Sequence, residues 1–231
     1  MKLEKIVDWL DATLEVGRYD DVSNNGLQIG NDGSGICKVA FAVDGSLRTV
    51  KKAIESQAGL LVVHHGISWG GGMRRLTGGL FNVVKAAIDG NLALYACHLP
   101  LDAHDRLGNN ARLAQELALQ RTQKAFSYHG NVIGLVGETD AGLKIGVCSG
   151  GGGEFAQEAK DLGCDVLVTG EASWADVIAA ENCGIKLECR GHYETEIYGV
   201  RAVAAEMEKS LGIDVVDLTE KPARGDVRDF H

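Results

Sequence analysis

The feature that most constrains the fold is a rhythm of short apolar runs separated by helix-patterned segments. Leu60-Leu61-Val62-Val63 is apolar at every position, as a strand buried on both faces requires. Residues 39–43 and 92–97 also read as strands, while residues 47–56, 81–88 and 110–119 carry helical patterns. Ahead of them, Leu3, Ile6, Val7, Leu10 and Leu14 place an amphipathic helix over residues 3–16, and Asn25-Gly26 marks a turn. After Gln120 the pattern restarts, with strands expected at 132–136, 143–148, 166–168, 185–189 and 213–216. Helices are expected between them at 154–162, 174–182 and 194–211. A repeated βαβ pattern of this kind predicts an α/β fold with largely parallel mixed sheets. The chain of 231 residues suffices for one large domain or two small lobes. The restart favours two similar α/β lobes, residues 1–123 and 124–231.

Charge and hydropathy exclude several classes of function. The net charge of −9, without a Lys/Arg cluster, argues against a nucleic-acid partner. No window approaches 18 uninterrupted apolar residues, so no membrane span is expected. The N-terminus, Met1-Lys2-Leu3-Glu4-Lys5, alternates charge with apolar residues and does not read as a secretion signal, which makes the cytoplasm the expected location. The cysteines Cys37, Cys97, Cys148, Cys164, Cys183 and Cys189 form no C-x-x-C pair and read as buried free thiols.

Chemistry concentrates where strands end. His64 and His65 follow the run 60–63 directly, and ligands of open α/β sheets bind at the carboxyl ends of strands. Adjacent strand residues point to opposite sides, so the two imidazoles can serve two ions, or one ion and a neighbouring group. His98 and Asp102 follow the strand at 92–97, in Cys97-His98-Leu99-Pro100-Leu101-Asp102. Asp102 offers a hard oxygen ligand. His98 reads as a ligand, a proton shuttle or an orienting group. His192 and Glu196 follow the strand at 185–189 and share one face if a helix has begun, with Glu194 pointing outward. Three histidines with two carboxylates suit zinc, iron, manganese or nickel better than calcium. They also exceed what one structural zinc uses, and a bridging carboxylate is the natural way to share two ions.

Other residues carry weaker signals. Ser149-Gly150-Gly151-Gly152-Gly153, between a strand and a helix, reads as a tight turn before it reads as a phosphate cradle. Trp69 and Trp174 read as packing residues rather than substrate-stacking ones. His104 is a loop residue near the site at most, and His129 and His231 read as surface or terminal residues.

These motifs together resemble the NIF-three-like family of dinuclear-metal-centre proteins, whose members are commonly called GTP cyclohydrolase 1 type 2 homologues. The resemblance rests on Val63-His64-His65-Gly66, His98-x-x-x-Asp102, Val168-Thr169-Gly170-Glu171 and Gly191-His192-Tyr193-x-Thr195-Glu196. Asn25-Gly26-Leu27-Gln28-Ile29-Gly30 and the glycine run at 150–153 extend it over nearly the whole chain. It implies two divalent metal ions per chain, ligated by His64, His65, Asp102, His192 and Glu196, with His98 beside them. It also implies a site between two lobes and a ring-shaped homohexamer. The chain departs from the family pattern at Gly66, where many members carry proline, and at Arg190, where small or apolar residues are common. It also lacks the inserted middle domain of longer members.

The function expected is that of a dinuclear-metal-dependent hydrolase acting on a small molecule, a purine nucleotide or a related substrate, with His98 as general acid/base. Attack on C8 of a purine and hydrolysis of a phosphate ester suit such a site equally well. The alternatives are a metal-binding or metal-delivery protein without turnover and a partner-binding scaffold.

Overall fold

The computed structural model describes residues 1–220; His231 and the end of the expected second lobe lie outside them. Two five-stranded sheets organise the chain. The first comprises β1 (Gly26–Ile29), β2 (Lys38–Asp44), β3 (Leu60–His65), β4 (Ala93–Ala96) and β10 (Asp214–Asp217), in the order β1-β4-β3-β2-β10. Its pairings are parallel except that of β1 with β4. The second comprises β5 (Gln120–Tyr128), β6 (Asn131–Glu138), β7 (Lys144–Cys148), β8 (Val166–Thr169) and β9 (Lys186–Cys189), in sequence order. Here β5-β6-β7 is antiparallel and β7-β8-β9 parallel.

The first sheet is buried on both faces, and its strands show why continuous apolar runs were needed. Val39, Phe41, Val43, Leu60, Val62 and Tyr95 pack with α1 (Leu3–Leu14) and α8 (His192–Leu211). The alternate residues Ala40, Ala42, Leu61, Val63, Leu94 and Ala96 pack on the opposite face with α2 (Leu47–Glu55) and α3 (Gly78–Asp89). This two-residue alternation has a consequence at the strand end. His64 continues the Leu60–Val62 side and faces α8, whereas His65 continues the Leu61–Val63 side.

In the second sheet, α6 (Ala156–Asp161) and α7 (Trp174–Cys183) contribute to one core, which Leu99 and Ala103 of α4 (Leu99–Ala103) join. Leu113 and Ala114 of α5 (Asn109–Glu116) cover the other face. The cut expected between residues 123 and 124 falls inside β5. The closing strand returns to the first sheet, where β10 pairs in parallel with β2 from Asp214–Lys38 to Asp217–Phe41. A single cut therefore does not separate the sheets, because the outer edge of β2 is paired by β10, which follows α8.

Several elements escaped the apolar pattern, among them β1, α4 and β5. β5 begins Gln120-Arg121-Thr122-Gln123-Lys124, all exposed, so it carries no hydrophobic signal. The stretch expected as one helix from residue 154 begins as a 3-10 turn over Gly152–Phe155 before α6. Of the cysteines, Cys97, Cys148 and Cys164 are buried and Cys183 is half-buried, whereas Cys37, just before β2, and Cys189, the last residue of β9, are exposed. Among the described residues no helix is long and apolar enough to cross a membrane.

Candidate metal centre

The carboxyl ends of β3, β4 and β9 and the first turn of α8 meet at one place. β3 extends two residues beyond its apolar run and so carries His64 and His65 itself. His98 caps the short helix α4, with Pro100 in its first turn and Asp102 within it. α8 starts at His192, two residues earlier than its apolar spacing indicated, so His192 and Glu196 sit one turn apart on the same face. All five expected ligands and His98 are therefore brought together. His64, His65 and His98 present ligand atoms within 4.8 Å of one another, as do His65, His192 and Glu196. Asp102 Oδ2 stands 3.6 Å from His64 Nε2.

Glu196 is the centre of the arrangement. It is 3% exposed, and its oxygens lie 3.5 Å from His64 Nε2, 3.4 Å from His65 Nε2 and 3.0 Å from His192 Nε2. Burial opposes its ionisation, but the surrounding imidazoles outweigh that and hold its carboxyl well below the usual range. Burial likewise opposes charge on His65, yet Asp44 and Glu196 push its pKa up to about 10. For His192 the hydrogen bond to Glu196 dominates and raises the pKa to about 9.

The outer partners of the imidazoles determine what these contacts mean. His64 Nδ1 faces the Cys97 carbonyl at 3.0 Å, and His65 Nδ1 faces Asp44 Oδ1 at 2.9 Å. His98 Nδ1 faces Asp21 Oδ1 at 3.0 Å, and His192 Nδ1 faces Glu171 Oε1 at 2.9 Å. Each partner is an acceptor, so each Nδ1 carries the hydrogen and donates it, leaving Nε2 as the lone-pair nitrogen of the neutral ring. For His64, His65 and His192, Nε2 then points its lone pair at carboxylate oxygens. Acceptor against acceptor is unfavourable unless a proton or a metal ion lies between them. Among the described residues the buried atoms His64 Nε2 and Glu196 Oε2 indeed have no hydrogen-bond partner. An unsatisfied buried polar atom costs about 1–3 kcal/mol, and two of them aimed into one space fit a cation. A histidine that donates Nδ1–H to an oxygen while its other nitrogen faces the site is also the usual outer support of a metal ligand.

Asp102 is held with similar care. Its Oδ1 accepts from Asn109 Nδ2 at 2.8 Å and Ser149 Oγ at 3.0 Å, leaving Oδ2 toward His64. Asn109 Oδ1 accepts in turn from the Gly199 N–H of α8 at 2.7 Å, so one asparagine ties the aspartate to the helix carrying Glu196. Asp21 is buried, which opposes its ionisation, but hydrogen bonds led by that from His98 bring its pKa down to about 2.

The glycine run packs against this centre. Gly150 has φ +64°, and a Cβ there would lie 2.5 Å from Glu196 Oε1. The N–H groups of Ser149, Gly150 and Gly152 donate to Asn110 Oδ1, Thr195 Oγ1 and Thr169 Oγ1. With these donors engaged inside the protein, the run is a tight turn rather than a phosphate cradle. A cleft of about 190 Å³ opens beside it, lined by His65, His98, Asp102, Glu196, Tyr128 and Phe155 among others. Behind Asp102 and Ile133 lies a second cavity of about 440 Å³.

The remaining expectations divide. Trp69 is at the site, its ring centroid 5.1 Å from that of His98 and its Nε1–H donating to the Gly66 carbonyl. Trp174 is 77% exposed and packs in no core, because it occupies the first turn of α7 on the outer surface. His104 Nε2 faces the Thr13 carbonyl and its Nδ1 accepts from two backbone N–H groups, a structural role. His129 is exposed. Asp21 and Asp44 were not singled out from the sequence, and Glu171 entered only within a family motif and without a role, although Asp44 and Glu171 follow apolar strands just as the histidines do.

The chain matches the family described as Duf34/NIF3 (NGG1p interacting factor 3) over residues 1–145 and 130–222. It is 38% identical over 239 residues to the GTP cyclohydrolase 1 type 2 homolog of Deinococcus radiodurans, covering 91% of this chain and 90% of that protein. The protein of the same name from Pyrococcus horikoshii is 36% identical over 245 residues, covering 94% and 97%. Among solved structures, the protein ybgI, titled as of unknown function, superposes with a TM-score of 0.88 at 26% identity, covering 96% of this chain and 99% of that one. TTHA1606 from Thermus thermophilus superposes with a TM-score of 0.81 at 29% identity, covering 97% and 100%. A family match over nearly the whole chain, with relatives above 30% identity at near-complete coverage, places this chain in the DUF34/NIF3 family.

Proposed function

We propose that the protein is a dinuclear-metal-dependent hydrolase of a small-molecule substrate. The observation that carries this reading is Glu196, a buried carboxylate whose two oxygens face three imidazole Nε2 atoms, with no hydrogen-bond partner among the described residues for His64 Nε2 or its own Oε2. In this reading His64, Asp102 and Glu196 would hold one divalent ion, and His65 and His192 with Glu196 would hold the other. Zinc, iron, manganese and nickel all suit the set of nitrogens and carboxylates. When bound, such ions supply Lewis acidity and activate water near neutral pH.

The rest of the work falls to the chain's own residues. Asp44 and Glu171 fix His65 and His192 with Nε2 inward. Asn109 and Ser149 hold Asp102 so that Oδ2 is free for the site. His98 lines the cleft and is braced by Asp21 as the histidine of a hydrolytic triad is braced by its aspartate, which suits it to exchange a proton with the substrate. The relatives' name supports a purine nucleotide as substrate class, with water attacking C8; phosphate-ester hydrolysis would use the same residues. The proposal includes a homohexamer in the cytoplasm, checked by native mass measurement and fractionation.

The test is to reconstitute the full chain with each metal, measure its metal content, and assay it against GTP and generic phosphodiesters. About two ions per chain, with turnover abolished in Asp102→Ala, are expected. Failure of every substrate to turn over, with Asp102→Ala lowering only thermal stability, would leave a metal-storage or scaffold role instead.

A further inference from the structure

The loop between β3 and α3, residues 66–77, is far longer than the usual connection of about 2–6 residues after a strand. It leaves the carboxyl end of the strand that carries His64 and His65. Its root is tied down: Ser68 accepts from Asn24, Trp69 bridges to Ser23, and Gly70 donates to the Val22 carbonyl. Trp69 at this root lies against the rings of His98 and His65, with centroid separations of 5.1 and 6.2 Å. Beyond it come Gly70-Gly71-Gly72-Met73-Arg74-Arg75, and everything from Trp69 to Gly79 except Gly72 is exposed. Gly70 and Gly72 have φ of +51° and +82° with open space around them, so neither is held by packing.

Arg74 and Arg75 stand out against the site's composition. Among the described residues neither makes a hydrogen bond or an ion pair. Among those that line the cleft none is a lysine or arginine, while Asp102, Glu154 and Glu196 are acidic. The glycine run beside the cleft has three of its N–H groups engaged by side chains. An anionic substrate would thus find no cationic group of the cleft itself beyond the metal centre. Arg74 already folds toward the root, since its Nη2 lies 3.3 Å from where a Cβ on Gly71 would sit. Consecutive Cα atoms are about 3.8 Å apart, so Gly71 lies within about 8 Å of Trp69 along the chain. Rotations beyond the root tied at Gly70, at Gly71 and Gly72, are what would carry the arginines toward the cleft.

We propose that Arg74 and Arg75 are the anion-binding element of this site, brought by the glycine-hinged loop onto a phosphate group of the substrate. The inference rests on the metal-hydrolase reading and narrows its substrates to those bearing phosphate. Arginine suits the task because its planar fork meets phosphate oxygens in pairs.

The experiment titrates inorganic phosphate into metal-loaded full-length protein by calorimetry, comparing wild type with the double variant Arg74→Ala, Arg75→Ala. Metal content is measured on the same samples. Phosphate affinity should fall by about tenfold or more in the double variant, as expected for the loss of charge-assisted contacts, at unchanged metal content. In a Trp9→Phe, Trp174→Phe background, Trp69 fluorescence should change on phosphate addition only when both arginines are present. Equal phosphate affinity in the two proteins, or none in metal-loaded wild type, overturns the inference. Wild type that binds no metal overturns the metal reading alone; the same titration on that protein then decides the arginines by the same criterion.

Discussion

Replacing Gly150 by alanine tests how tightly the glycine turn is built around Glu196. The substitution does two things. It forces a side chain into a left-handed conformation, φ +64°, at about 1–2 kcal/mol. It also places a Cβ 2.5 Å from Glu196 Oε1 and 3.3 Å from His192 Nε2. A flexible surface glutamate would swing aside, but Glu196 is 3% exposed and meets His192 at 3.0 Å. Moving it sacrifices a charged hydrogen bond, about 1.5–3 kcal/mol. The total is about 2.5–5 kcal/mol, or a fall of about 10 °C in the Tm of a domain this size. Gly184 provides the control. Its φ is +71°, it closes α7, and a Cβ there meets nothing within 4 Å. Gly184→Ala carries only the backbone cost, about 4 °C. Circular dichroism melts of both metal-free variants give the difference, and elemental analysis after metal loading gives the functional consequence. Gly150→Ala should be less stable than Gly184→Ala and should lose metal, whereas Gly184→Ala keeps it. Equal melting temperatures, or wild-type metal content in Gly150→Ala, would refute the claim that this turn sets the position of Glu196.

Asp44→Asn should weaken binding of one ion by about tenfold, the lower end of the range for outer partners of metal ligands, because Asp44 is 45% exposed at its side chain; competition with a chromophoric chelator measures it. In metal-free protein the raised pKa values of His65 and His192, about 10 and 9, stabilise the folded state fully below about pH 6.5, the unfolded value. That contribution is lost as pH rises through 9 to 10, so the Tm of metal-free protein should fall over that window while that of metal-loaded protein does not. The depressed pKa of Glu196 acts oppositely, its contribution being present above about pH 4.5 and lost on acidification. Cys37 and Cys189, both exposed, should react with a thiol reagent in the native protein. Buried Cys97, Cys148 and Cys164 should react only on unfolding, as timed labelling with mass spectrometry would show.

Much of this architecture is legible in the sequence because its signals are local. A strand buried on both faces must be apolar throughout, so β2, β3 and β4 announce themselves, and the polar residues after them mark the cleft. His64, His65 and Asp102 are found by that rule, whereas His192 and Glu196 follow the more exposed β9 and are paired by helix spacing. β5 is not legible, since its exposed half carries no pattern, nor is the return of β10 to the edge of β2, which is a pairing between residues far apart in the chain. The carboxylates behind the histidines belong to the same class. Asp21 lies 77 residues from His98, and nothing in its neighbours reveals the imidazole it will brace.

By itself, then, the sequence determined which side chains could reach a strand end and on which face each would stand, because strand alternation and helix spacing are properties of neighbouring residues. Only the tertiary structure decided that Nδ1 of four histidines would be engaged from behind by Asp21, Asp44, Glu171 and the Cys97 carbonyl. It also decided that Glu196 would be buried among the imidazoles. That arrangement turns a collection of candidate ligands into a group that could hold a metal ion, and it arises from packing elements distant in sequence, which no local pattern encodes.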